Sequence, residues 1–192
     1  MSDRYAQRPD GLNQLYQEAC QKESDIWLHL PILAGLAGEC EHVTEMGVRH
    51  GISTRALLWA QPARLICYDL LRYPDDWEQL QGLRGRTNVT FHQADSRAVD
   101  IEQTEMLFID TFHVYEQLKA ELVRHSPRTS RYIVMHDTVA FRDAGEDPNQ
   151  PGLWPAIEEF VATGDWAIMM HRALNNGLTV LERRTPMPSD DD

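Results

Sequence analysis

Several residue types are scarce in this chain, and each scarcity closes a functional class. Three cysteines, Cys20, Cys40 and Cys67, occur in 192 residues. Their number is odd and no C-x-x-C spacing joins them, which speaks against a disulfide framework. No secretion signal precedes them, so a reducing, cytoplasmic setting is expected. Positive charge is scarce too: 18 lysines and arginines face 30 aspartates and glutamates, a formal net charge of -12. Nucleic-acid binding needs a basic surface that displaces counterions, so the expected partner is a small molecule. Long apolar runs are missing. The longest, residues 26–37, is interrupted by His29 and Pro31 and is too short to span a bilayer, so no membrane partner is expected. A dinucleotide fingerprint G-x-G-x-x-G begun at Gly47 would need glycines where Arg49 and Ile52 stand.

What is present reads as one α/β domain over residues 1–184, followed by an acidic tail at 185–192. Residues 12–20 and 26–36 have helical apolar spacing and form a preamble at 10–38, with Ser24 or Asp25 to cap the second helix and Gly38 to stop it. From residue 43 to 184 short apolar runs alternate with amphipathic stretches, the mark of βαβ units. Strands are expected at 43–48, 64–69, 89–93, 106–110 and 132–136, with Cys67 buried in the second. Helices are expected from Ser53, Asp75, Tyr115 and Trp154. Apolar runs at 166–174 and 178–183 flank Asn175, Asn176 and Gly177, which tolerate positive φ and predict an antiparallel hairpin. The acidic, Pro- and Gly-containing segment 142–152 is the candidate lid.

The first strand ends in Glu45-Met46-Gly47-Val48 and is followed by Arg49-His50-Gly51-Ile52-Ser53-Thr54. Gly47 and Gly51 permit a sharp turn and close approach to a ligand, and the helix start offers free N–H groups. Glu45 would repel a pyrophosphate and attract an ammonium group, so the ligand should carry positive charge. Asp69 closes the second strand about twenty residues after Gly47, the spacing at which an acid reaches a ribose diol. Asp95 and Ser96, after the third strand, could reach an adenine amino group. Strand ends on one side of an open sheet line a single crevice, which unites these residues.

The segment from Glu45 to Thr54 resembles motif I of class I S-adenosylmethionine-dependent methyltransferases, in the branch related to cephalosporin hydroxylase and sugar O-methyltransferases. Leu107-Phe108-Ile109-Asp110-Thr111-Phe112-His113 is similar to the acid-containing segment of that branch, and Tyr132-Ile133-Val134-Met135-His136-Asp137 to its next strand end. The branch has Gly and Asp where this chain has Thr111 and Phe112. The resemblance implies a Rossmann-like, doubly wound sheet of seven strands, mostly parallel with a C-terminal antiparallel hairpin, over residues 43 to 183. It also implies that Glu45, Gly47, Gly51, Ser53, Asp69 and Asp95 contact S-adenosylmethionine, and that Asp110 faces the methyl group.

Methyl transfer needs an aligned acceptor oxygen and a group to take its proton. His113 and His136 are the candidate bases, with Asp110 or Asp137 orienting the imidazole. Alternatively Asp110, His136 and Asp137 bind a divalent ion; an imidazole in that set favours a transition metal over Mg²⁺ or Ca²⁺. The expected activity is O-methylation of a small metabolite, a sugar or glycoside by resemblance. The competing reading is a non-catalytic nucleoside-binding module acting through a protein partner. Trp27, Leu30 and Leu33 make an apolar stripe that could cover the sheet or join a second subunit in a homodimer.

Overall fold

The computed structural model describes residues 8–184; the expected acidic tail lies outside the described residues. Helix α1 (Asp10–Gln21) buries Leu12, Tyr16 and Ala19, one face at helical spacing. A 3-10 turn at Trp27–His29 leads into α2 (Leu30–Gly38). Neither Ser24 nor Asp25 caps α2, which instead starts with Pro31 in its first turn, where a missing N–H costs nothing. Leu30 and Leu33 are fully buried in the core of their own chain, so most of the stripe offered to a second subunit is spent internally.

The remaining elements alternate: β1 (His42–Met46), α3 (Ile52–Trp59), β2 (Arg64–Asp69), α4 (Pro74–Gly82), β3 (Asn88–Gln93), β4 (Thr104–Ile109), α5 (Tyr115–His125), β5 (Thr129–His136), α6 (Trp154–Val161), β6 (Trp166–Arg172) and β7 (Leu178–Arg183). The seven strands form one sheet in the order β3-β2-β1-β4-β5-β7-β6. Strands β1 to β5 are parallel, β7 runs against β5, and β6 against β7. The hairpin turn uses positive φ at Asn175, Asn176 and Gly177, as their side chains predict. Strand β1 stops at Met46 rather than Val48 because Gly47, at φ +85, leaves the extended region.

Alternation along the strands divides the core into two layers. Val43, Cys67, Phe108 and Val134 face α1 to α4, whereas Met46, Ile66, Leu107 and Ile133 face α5 and α6. Phe108 and Leu107 are fully buried on opposite faces, each contributing about 2 kcal/mol or more. From β1 the chain winds outward to β3, then returns to β4 on the other side of β1. That reversal leaves a crevice beyond the carboxyl ends of β1 and β4. Among the described residues no helix is long and apolar enough to cross a membrane.

Candidate active site

A cleft of about 460 Å³ fills that crevice, and a smaller cavity of about 140 Å³ adjoins it, sharing Asp25, Gly47, Arg49 and Asp110. Of the residues expected at the site, Gly47, Asp69, Asp95, Ser96, Asp110, His113 and Asp137 line the larger space and Ser53 the smaller. Glu45, Gly51 and His136 line neither.

Both glycines are required by the packing of the chain. A Cβ on Gly47 would lie 1.9 Å from the Asp110 carbonyl oxygen, and one on Gly51 2.4 Å from Leu80 Cδ1. Close approach to the end of β4 and to α4 therefore requires them, together with positive φ at both. Asp69 fixes the turn: its Oδ2 accepts from Val48 N at 2.7 Å and Arg49 N at 2.9 Å, and its Oδ1 from Leu71 N at 3.0 Å. A carboxylate offers about four acceptor sites, so roughly one remains for a ligand hydroxyl.

Glu45 does not reach the cleft, which corrects its expected role in cofactor contact. It shares a strand face with Val43 and points under α3, fully buried. There Ser53 Oγ and Thr54 Oγ1 donate to it at 2.5 and 2.8 Å, and Cys67 Sγ at 3.2 Å. Burial pushes its carboxyl up to about 7 against the pull of those donors. Glu45 thus clamps the first turn of α3, and the Ser53 hydroxyl is committed to it.

A second buried carboxylate, Glu121 of α5, underlies the cleft and was not foreseen. Ser96 Oγ donates to it at 2.5 Å, Gln117 Nε2 at 2.7 Å and Thr111 Oγ1 at 2.9 Å. Burial raises its carboxyl, opposed by these donors. Asp95, near the mouth, is forked by Arg97. The place where the branch has glycine is therefore occupied by a hydroxyl that helps fasten Glu121.

At the ends of β4 and β5 the acids enclose His113. Its Nε2 lies 3.2 Å from Asp110 Oδ1 and 3.0 Å from Asp137 Oδ2, and its Nδ1 lies 2.9 Å from Glu146 Oε2. The ring stacks on Phe141, with centroids 4.7 Å apart. Burial alone would depress the imidazole, but the carboxylates outweigh it and raise its proton affinity. Asp110 is held below the usual carboxylate range, its burial overcome by His113 and His136. Burial raises Asp137, and His136 opposes that rise.

His136 is displaced from both roles expected of it. It is 1% exposed, beneath the acids, with Nε2 3.1 Å from the Asp25 carbonyl oxygen and Nδ1 3.4 Å from both Asp110 and Asp137. Nδ1 makes no hydrogen bond, but the two carboxylates face it. Burial would lower its pKa, yet the neighbouring acids raise it to about 9. Buried beneath the acids and lining neither cavity, His136 is out of reach of a substrate proton. Among the described residues, the group whose ligand atoms lie within 4.8 Å of one another is Asp110, His113 and Asp137. Asp137 Oδ1 is buried without a hydrogen-bond partner, and its residue sits at φ +59. Two carboxylates and an imidazole suit a divalent transition ion, which would displace the proton from His113.

Segment 142–152, the candidate lid, is tied to the body. Glu146 N donates to His113 O and Tyr115 N to Pro151 O, both at 2.9 Å, and Ala144 pairs with Pro151. The segment contributes Glu146, which orients His113.

No family model matches the sequence, and no curated protein sequence matches it. Solved structures do. The O-methyltransferase TomG of Streptomyces achromogenes, involved in tomaymycin synthesis and solved with S-adenosylmethionine, is 14% identical, with 96% of this chain and 100% of that one covered and a TM-score of 0.59. This chain has the methyltransferase fold. The methyltransferase PaMTH1 of Podospora anserina, bound to S-adenosylhomocysteine, is also 14% identical, with 92% and 89% covered and a TM-score of 0.60. The N-methyltransferase NodS of Bradyrhizobium japonicum, with the same ligand, is 11% identical, with 93% and 100% covered and a TM-score of 0.60. The methyltransferase fold thus serves both oxygen and nitrogen acceptors.

Proposed function

We propose that this protein transfers a methyl group from S-adenosylmethionine to a hydroxyl oxygen of a small metabolite such as a sugar or glycoside. The observation that carries this reading is the acidic crevice at the β1/β4 reversal. Asp69 and Asp95 stand at the end where a nucleoside would lie, and Asp110, shared by both cavities, stands where a sulfonium would. Asp110, held ionised, favours that positive charge. The acceptor oxygen forms the new C–O bond as the C–S bond breaks with its electron pair going to sulfur. The hydroxyl proton passes to the carboxylate of Asp137, whose proton affinity burial raises and which lines the cleft. His113 and His136 balance the acids and hold them in place. As an alternative to proton uptake by Asp137, the trio Asp110, His113 and Asp137 would hold a divalent transition ion, which when bound would supply Lewis-acid lowering of the hydroxyl pKa.

Calorimetric titration of the metal-stripped protein with S-adenosylmethionine, S-adenosylhomocysteine and NAD tests the cofactor. Micromolar binding of the first two and none of NAD is the expected result. Binding of neither sulfur nucleoside, with or without Mn²⁺, would overturn the reading.

A further inference from the structure

We propose that Asp25 and Arg49 form the receptor for the α-amino-acid end of the cofactor, Arg49 taking its carboxylate and Asp25 its ammonium group. The inference rests on the cofactor reading above and adds the side chains that select a zwitterion. Asp25 comes from the preamble, just before the 3-10 turn; Arg49 comes from the turn between β1 and α3. Both border both cavities, beside Gly47 and Asp110. Asp69 and Asp95 border only the larger one, which leaves the nucleoside and the amino-acid end on different sides of Asp110.

The pair is loose. Arg49 Nη1 stands 3.6 Å from Asp25 Oδ2, beyond normal hydrogen-bond reach, and the side chains are 76% and 45% exposed. Such a pair contributes little to folding, so it opens at small cost. An α-amino acid carries its ammonium and carboxylate on one carbon, and inserting it converts one loose ion pair into two closer ones.

The backbones behind the pair are fixed. The Asp25 carbonyl accepts from His136 Nε2 at 3.1 Å, and the flanking loop is held by Asn175, which donates to Ser24 O at 2.7 Å and accepts from Leu28 N at 2.9 Å. Arg49 lies at φ +45 with its N–H on Asp69. That left-handed conformation costs a non-glycine residue about 1 kcal/mol, a strain kept where it aims a side chain. The other cations lining the cleft are occupied: Arg97 is forked on Asp95, and His113 is enclosed by Asp110, Asp137 and Glu146. Arg49 is the guanidinium there that can take a ligand carboxylate.

The test compares S-adenosylhomocysteine with 5'-methylthioadenosine, which keeps the adenosine and the thioether but lacks the amino-acid group. Calorimetry on the full chain and on Arg49→Gln and Asp25→Asn reads both ligands. Each variant should weaken S-adenosylhomocysteine about tenfold or more and leave 5'-methylthioadenosine unchanged. Variants that keep wild-type affinity for S-adenosylhomocysteine, or that lose both ligands alike, would overturn the receptor while the cofactor reading stands. A wild-type chain that binds neither ligand overturns both.

Discussion

Ser96 Oγ donates to Glu121 Oε1 at 2.5 Å, joining the segment after β3 to α5 beneath the cleft. With Thr111 and Gln117 on the same carboxylate, three donors depend on one buried acceptor. Glu121→Ala leaves them unpaired and should cost about 3 kcal/mol in urea denaturation, whereas Glu121→Gln, which keeps an acceptor, should cost about 1 kcal/mol. An alanine variant as stable as the parent would remove the carboxylate from this structural role.

Gly47 and Gly164 both have positive φ, but only the first meets other atoms. Gly164→Ala should cost about 1 kcal/mol, the left-handed penalty alone. Gly47→Ala adds a collision with the Asp110 backbone and should cost about 3 kcal/mol or more. Thermal melts of the two variants, side by side, check this; equal shifts would contradict the close approach of the turn to β4.

Glu45 makes stability depend on pH in a defined direction. Its carboxyl rises from 4.5 to about 7 on folding, burial being the largest cause. Below pH 4.5 both folded and unfolded chains hold the proton and the stabilisation is complete. Between 4.5 and 7 only the folded chain holds it, and stability is lost as pH rises, by about 3 kcal/mol in total. The stability of the parent relative to Glu45→Gln should therefore fall over that interval. A difference independent of pH would mean that Glu45 is ionised when buried.

The donor set at the cleft predicts metal selectivity. Mn²⁺ should bind the protein more tightly than Mg²⁺, since an imidazole is among the ligands. Asp137→Asn should abolish the Mn²⁺ heat, and Glu146→Ala, which leaves His113 Nδ1 without its carboxylate, should weaken it about tenfold. Unchanged Mn²⁺ affinity in Asp137→Asn would exclude the site.

Much of the sheet was legible because strand periodicity and turn chemistry are local. Strand β2 and the last strand begin and end where their apolar runs do. The acids after β2, β3 and β4 were legible for the same reason, since topology brings such ends to one crevice. Glu45 was misplaced although its parity with Val43 puts it under α3, because its position near a strand end outweighed that signal. Glu121 follows Leu118 by one helical turn, which marks a buried side, but nothing in the sequence names Ser96 and Thr111 as its donors. The exchange of His136 for His113 depends on the left-handed turn at Asp137 and on a loop that carries Glu146 inward, neither of which has a sequence period.

Asn175 fastens the loop that carries Asp25, and it lies 147 residues beyond Leu28. A ribosome releases the chain from its amino end, so α1 through β5 can be assembled, with His136 already on the Asp25 carbonyl, while that rim of the cleft still lacks its Asn175 fastening. Docking of the final hairpin closes the gap. The placing of Asp25 at the cleft is thus among the last properties the nascent chain acquires, and damage to the hairpin turn would be felt at the opposite end of the sequence.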